Sequence, residues 1–430
     1  MNAPVPLSQI AVAPDTNALP PLISRPYLLV LFGPPFFVDA SGRRWLEALW
    51  AKDLIEHTHY ITHLTLAAPT VYGLPPQNAV ALDEVESLRN VRCIELPAPR
   101  NILVALWYLP RTCAALWDAL RSAELVHAGV AGWPLAESWI LIPLLMLRRR
   151  LLYINVESAF WRLVPGQKAP VMRQIRAAVS EWLNRWSVEA SDISTFTHEG
   201  YRRSLLRRHT DRGHVVEASW IDDADVLNDL QMQRVIERRR CHKGPLTLVF
   251  AGRLTHEKGL LVLLDAVSAA RKNGVDVSLD IFGEGALAAE CSTRIAALGV
   301  NAHIRLRGTM PYDRSFFKTL SGFDMLVVPS LSDEQPRIVF DAYAQGLPVL
   351  ASRTEGLVQC VEDNVTGALI PPQDVAALHA AIDKIAREPA QLAYMSSACV
   401  ARARKLTHQE MHRKRWRLLV ENFPALTRPA

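Results

Sequence analysis

The chain has 430 residues, half of them hydrophobic, and a formal net charge of +5. That length is too great for one ordinary core and predicts two or three domains, while so modest a charge does not point to nucleic acid, whose binders cluster basic residues more densely. The excess lies in residues 1–215, with 22 Lys and Arg against 18 Asp and Glu, a bias that favours an anionic partner such as a membrane surface or a phosphate-bearing acceptor.

The first 20 residues hold four prolines and no Lys or Arg. They lack the basic start and apolar run of a signal peptide and read as a flexible tail. Residues 27–32 form a short apolar strand closed by Gly33-Pro34-Pro35, and a helical stretch follows from about Gly42 to Ile55. His57, His59 and His63 sit at the end of that helix, where their spacing favours a solvated turn over a metal-ligand set. A helix over about 103–120 carries Trp107, Tyr108 and Trp117, and residues 125–127 and Leu151–Val156 read as buried strands. The run 139–147 is about half the length of a membrane span. The Arg148-Arg149-Arg150 that follows it makes a lipid-facing surface one option; ordinary core helices with a basic cap are the preferred one. The six cysteines include no Cys-x-x-Cys pair and read as buried thiols of a reducing compartment.

Residues 214–245 join the halves, with a charged helix over 231–240 and a break at Lys243-Gly244-Pro245. Beyond it, strands are expected at Leu246–Ala251, Val277–Phe282, 303–306, Met325–Val328 and 348–351. Leu260, Leu263, Leu264 and Val267 share one face of an intervening helix, so the second half reads as a parallel sheet covered by helices.

Two motifs carry chemistry. In the first, a strand ends at Gly252, Arg253 follows, and Lys258-Gly259 opens a helix. Such a helix start holds anionic oxygens, and two cations would suit a diphosphate; a βα turn with two solvated basic residues explains the same pattern. The second runs from Pro329-Ser330 through Asp333, Glu334 and Asp341 to Gly346-Leu347-Pro348 at the carboxyl end of a strand, where open α/β sheets bind ligands. Its carboxylates could accept hydrogen bonds from sugar and ribose hydroxyls, or could simply favour a helix N-terminus.

Taken in order, Gly252-Arg253-Leu254, Lys258-Gly259, Gly283-Glu284-Gly285, Arg307-Gly308, Pro329-Ser330, the pair Asp333 and Asp341, and Ala342-Tyr343-Ala344-Gln345-Gly346-Leu347-Pro348-Val349 resemble the retaining GT-B enzymes of glycosyltransferase family 4. The resemblance covers about 246–404. It implies two Rossmann-like α/β domains facing across a cleft: an acceptor domain (21–215), a linker (216–244) and a nucleotide-sugar domain (245–405), with residues 406–430 carrying a helix, N-capped by Thr407, that crosses back to the first domain. It also implies a cytoplasmic enzyme, with peripheral membrane contact open, that uses a nucleotide-diphosphate sugar, a glycan or lipid-linked acceptor, and neither metal nor other cofactor. By the resemblance Arg253 and Lys258 bind the diphosphate, Asp341 the ribose and Asp333 the transferred sugar, with Gly252 and Gly283 in the donor site and Ser352 to Gly356 completing it.

The family's two glutamates are aspartates here, and Glu334 is the substitute for Asp333 if the loop shifts by one residue. In the first domain the counterpart of the family's phosphate-closing glycine loop is Gly42. Its strand-end histidine maps to His127, or the alignment puts Gly129 in that place. A non-catalytic relative that binds a nucleotide sugar or glycan, and an epimerase acting on the nucleotide sugar itself, are the alternatives.

Overall fold

The structure, a computed structural model, describes residues 22–132, 134–164, 169–241 and 244–428. The proline-rich start and Lys243 therefore lie outside the described residues. The first half runs β1 (Tyr27–Val30), β2 (Phe36–Val38), β3 (Arg44–Glu47), α1 (Ala48–Thr58), β4 (Leu64–Tyr72), β5 (Ala79–Ala81), β6 (Arg92–Leu96), α2 (Ile102–Ser122), β7 (Leu125–Gly129), α3 (Glu137–Leu147), β8 (Leu151–Val156), α4 (Val171–Glu189), β9 (Ile193–Phe196), α5 (Glu199–Leu205) and β10 (Gly213–Val215). Strands β10, β9, β8, β7, β1 and β4 lie side by side in that order, all parallel, with β6 on the outer edge of β4. A core that includes α2, α3 and α5 residues covers one face, while α1 covers the other.

The second half runs α6 (Asp229–Arg240), β11 (Leu246–Ala251), α7 (Leu260–Lys272), β12 (Val277–Phe282), α8 (Ala288–Leu298), β13 (Ile304–Gly308), α9 (Arg314–Leu320), β14 (Met325–Val328), α10 (Ile338–Ala344), β15 (Val349–Ser352), α11 (Leu357–Cys360), β16 (Gly367–Ile370), α12 (Val375–Arg387), α13 (Ala390–Ala403) and α14 (His408–Asn422). Its strands are the continuous apolar runs that a sheet covered on both faces requires. They are all parallel, in the order β13-β12-β11-β14-β15-β16. The stripe Leu260, Leu263, Leu264 and Val267 on α7 is buried against the sheet, as its spacing requires. In both sheets the strand order reverses at one point, between β1 and β7 and between β11 and β14. This is the two-domain GT-B architecture.

Two local expectations are corrected. Gly42 does not open a helix: β2 and β3 pair as an antiparallel hairpin, and Gly42 takes a left-handed φ of 83° in its turn, donating to the Asp39 carbonyl. In the segment that joins the halves, the charged helix is α6, which docks on α13 and whose buried Arg239 bonds Gly346, Phe323 and Ser396. Among the cysteines only Cys291, Cys360 and Cys399 are buried, while Cys241 is exposed.

Helix α14 crosses back to the first half. The Thr407 hydroxyl accepts from the Glu410 amide to cap it, and Leu419 joins the core beneath α1. A buried polar cluster fastens it there. His412 Nε2 donates to Asp53 (3.1 Å), and Tyr60 bonds its Nδ1. Arg415 lies 4.0 Å from Asp53 and 3.3 Å from Glu157. Burial alone would raise the Asp53 carboxyl, yet His57, His412 and Arg415 hold it well below the usual carboxylate range. Burial presses the His57 imidazole down to about 4, so His57 is neutral at pH 7 and belongs to this cluster rather than to a solvated turn. One potential ligand atom from each of Asp53, His57 and His412 lies within 4.8 Å of the others. With the carboxylate already engaged by His412 and facing the Arg415 guanidinium, the group is a hydrogen-bonded ion cluster.

Candidate functional site

The carboxyl ends of β11 and β14 flank the order reversal of the second sheet, the position where open parallel sheets leave a crevice. A cavity of about 370 Å³ opens there, lined on one side by Gly252, Arg253, Lys258, Ser330, Glu334 and Arg337. Glu157 and Ser158, which follow β8, close it from the first half. The site thus lies between the two domains.

Local sequence explains how the cations are placed. After β11 the chain leaves through Gly252 and Arg253, makes one tight turn at His256–Lys258, and enters α7 at Gly259. Gly259 has φ 68°, and a Cβ there would collide with the Pro329 carbonyl at the end of β14. Glycine is therefore required twice over, and it draws the two loops together. The Leu331 amide (2.8 Å) and the Ser330 hydroxyl (3.2 Å) both donate to the Glu257 carbonyl. So stitched, Lys258 Nζ lies 3.1 Å from Glu334 Oε2, with the two side chains only 16% and 25% exposed. Ser158 Oγ reaches the other Glu334 oxygen at 3.4 Å.

The next residue, Gln335, is turned inward. It donates to the Thr197 carbonyl of the first domain (2.8 Å) and accepts from the Ala218 amide of the segment that joins the halves (3.1 Å). This anchor fixes which of its neighbours faces the cavity. Glu334 lines it and Asp333 does not. Gly356 packs against the carbonyls of both, so the Ser352 to Gly356 segment supports the loop from behind.

Asp341 lies one turn of α10 beyond Arg337, buried and outside the cavity lining. Tyr312 Oη donates to it at 2.8 Å. Burial pushes its carboxyl up to about 7, against the lowering effects of that hydrogen bond and of Arg337. Since folding disfavours the ionised form, a stability penalty grows as pH rises from the ordinary value of 3.8 to about 7, and is complete above it. Asp341→Asn should escape this penalty. Its stability advantage over wild type is expected to widen by about 2 kcal/mol between about pH 5 and about pH 8, read from denaturant melts; a constant difference would show that Asp341 does not titrate there.

Three of the expected site residues lie elsewhere. Gly283 has φ 136°, and a Cβ there would strike the Gly252 carbonyl, so it is a spacer between the ends of β11 and β12. Gly42 sits in its hairpin turn, outside the cavity lining. His127 is buried in the middle of β7, with Nδ1 2.9 Å from Tyr27 Oη and its ring stacked on Tyr153. Burial, then His57 and Arg415, hold its pKa well below the usual histidine value. The strand-end position is Gly129, whose amide donates to the buried Glu137 (2.8 Å).

Sequence reasoning also passed over Arg337, Glu157 and Ser158. Arg337 was legible as the i−4 neighbour of Asp341 on one helical face. Its guanidinium is 5.3 Å from the centroid of the Trp220 ring, which adds a third cation to the cavity.

Residues 233–405 match the family model described as "Glycosyl transferases group 1". The amylovoran biosynthesis glycosyltransferase AmsK of Erwinia amylovora is 30% identical over 174 residues, which are 39% of this chain and 42% of that protein. The chain thus matches about two-fifths of that relative's length. Among solved structures, Anabaena HepE in complex with UDP superposes with a TM-score of 0.65 at 13% identity, covering 92% of this chain and all of that one. Sucrose-phosphate synthase from Thermosynechococcus elongatus gives 0.68 at 18% identity, over 93% of this chain and all of that one. At such identities the likeness is one of fold.

Proposed function

We propose, from the match of residues 233–405 to the glycosyl transferases group 1 model, that the chain transfers a sugar from a nucleotide-diphosphate donor to a hydroxyl acceptor. One observation carries this reading: Arg253 and Lys258 share a cavity with Glu334 at the strand-order reversal, with Glu157 and Ser158 opposite. The donor diphosphate lies against Arg253 and Lys258. The bond between the sugar and the diphosphate oxygen breaks, its electron pair stays on that oxygen, and the acceptor oxygen bonds to the sugar carbon as its proton passes to the departing diphosphate oxygen. The two cations stabilise the charge that develops on the leaving diphosphate without a metal. Glu334 takes the sugar-facing role first assigned to Asp333, and Asp341 stands nearest the ribose. Retention of configuration rests on the resemblance to family 4, and the complex of HepE with UDP supports a nucleotide donor. AmsK is named for amylovoran biosynthesis, which favours a glycan or lipid-linked acceptor in surface polysaccharide assembly on the cytoplasmic side. No helix among the described residues is long and apolar enough to cross a membrane.

A second reading, a donor-binding protein without turnover, draws on the burial of Asp341 under Tyr312 and on Gly129 at the end of β7. One experiment separates the two. A thermal-shift screen over nucleotide-diphosphate sugars should find a stabilising donor, worth about 2.7 kcal/mol at a hundredfold excess over Kd, whose effect Arg253→Ala abolishes. Release of nucleoside diphosphate from that donor, with or without acceptor, identifies turnover; stabilisation without release selects the second reading, and no stabilising donor overturns both.

A further inference from the structure

The first domain leaves large apolar side chains in water on two helices. On α4 Met172, Ile175, Val179, Trp182 and Trp186 recur at three- and four-residue spacing, yet all face outward, Met172 at 75% and Trp182 at 65% exposure. On α2 Leu103 and Trp107 are 75% and 82% exposed. Amphipathic core helices with a basic cap do not explain this, since the stripe that should pack inward lies on the surface. Helix α3 packs between α2 and α4, so the three form one layer over the sheet.

The charge of this face is predominantly basic, and the exposed Asp118 of α2 is paired with Arg121. Arg100, Arg111, Arg149, Arg173 and Arg176 are exposed along it. The two acidic residues of α4 are turned to internal partners: Glu181 is clamped by Arg162 (2.8 and 2.9 Å), and Glu189 accepts from the Arg207 and Arg208 amides. What remains outward is apolar surface edged by arginine, the composition of a helix lying in the interface of an anionic bilayer. A two-fold contact between copies would have to pack one such basic face on another, which like charges oppose. Helix α2 also begins shortly after β6 ends, at the carboxyl edge of the sheet that carries Glu157 and Ser158. A bilayer on this face would bring a lipid-borne acceptor to the open side of the cavity.

We propose that the outer face of α2 and α4 docks the protein on anionic membrane. The inference does not depend on turnover and is tested without it. The full chain is floated with vesicles of phosphatidylglycerol and phosphatidylcholine, and with vesicles of phosphatidylcholine alone. Wild type should bind the anionic vesicles, lose binding as salt is raised, and bind the neutral ones at least about tenfold more weakly. The triple substitution Met172→Ser, Ile175→Ser, Trp182→Ser should reduce anionic binding at least about tenfold, and Arg173→Glu with Arg176→Glu should do the same. These side chains are exposed, so melting temperatures should hold; should the triple variant unfold, Leu103→Ser with Trp107→Ser makes the same test on α2. No flotation of wild type, equal binding to both vesicles, unchanged binding by the variants, or a wild-type dimer that the triple substitution dissociates would each overturn the proposal.

Discussion

Lys258→Ala is expected to lower kcat for sugar transfer by about 100- to 1000-fold, the cost usual for removing one group that stabilises developing negative charge. Gly259 can only be glycine, and it seats the turn against Pro329, so Lys258 is aimed by the backbone rather than by a flexible loop. In the structure its ammonium is paired with Glu334. On the proposed reading, a diphosphate, with more negative charge than one carboxylate, draws Lys258 away and frees Glu334 to face the sugar. Glu334→Gln should therefore impair kcat more than donor affinity, because it removes both the resting partner of Lys258 and the sugar-facing carboxylate. Steady-state kinetics with the donor found by thermal shift make the check. A Lys258→Ala enzyme within a few-fold of wild type would place the diphosphate elsewhere.

Arg415→Met should cost about 3–5 kcal/mol of stability, the loss expected when one partner leaves a buried ion cluster. Arg415 is the buried cation facing both Asp53 and Glu157. Without it the Asp53 carboxylate keeps the hydrogen bond from His412 and the nearby His57 imidazole, which is neutral at pH 7. Helix α14 would lose its main polar hold on the first domain, and a fall in melting temperature of about 10 °C is expected. Substitution of the exposed Arg417 on the same helix should change it by little. Because Glu157 also lines the cavity, Arg415→Lys should recover part of the stability while leaving Glu157 less firmly held. Unfolding followed by circular dichroism settles the point; a fall under about 2 °C would mean that the cluster contributes little.

The second domain was largely legible in the sequence because its signals are local. Apolar runs ending at Gly252, Ser330 and Gly308 mark strand ends, and one buried stripe marks α7. The first domain hid more, for identifiable reasons. Gly42 suits a helix start and a hairpin turn equally well, and only the pairing of Phe37 with Trp45 decides between them. His127 and Gly129 differ by two residues on one strand, so they share a face but not a depth, and depth comes from the packing of Tyr27 and Tyr153. Asp333 and Glu334 are adjacent, and the choice between them rests with Gln335, whose partners Thr197 and Ala218 lie far away in the chain. His412 and Asp53 stand 359 positions apart. An amphipathic pattern does not say which side faces the core, so the outward stripe of α4 was not legible.

Diffraction from crystals grown with a nucleoside diphosphate asks the deciding question without reference to any sugar or acceptor. Phosphate density within hydrogen-bonding reach of both the Arg253 guanidinium and the Lys258 ammonium, with Glu334 released from its pair, is the expected result. A nucleotide bound with its phosphates out of reach of both cations would contradict the assignment at its root.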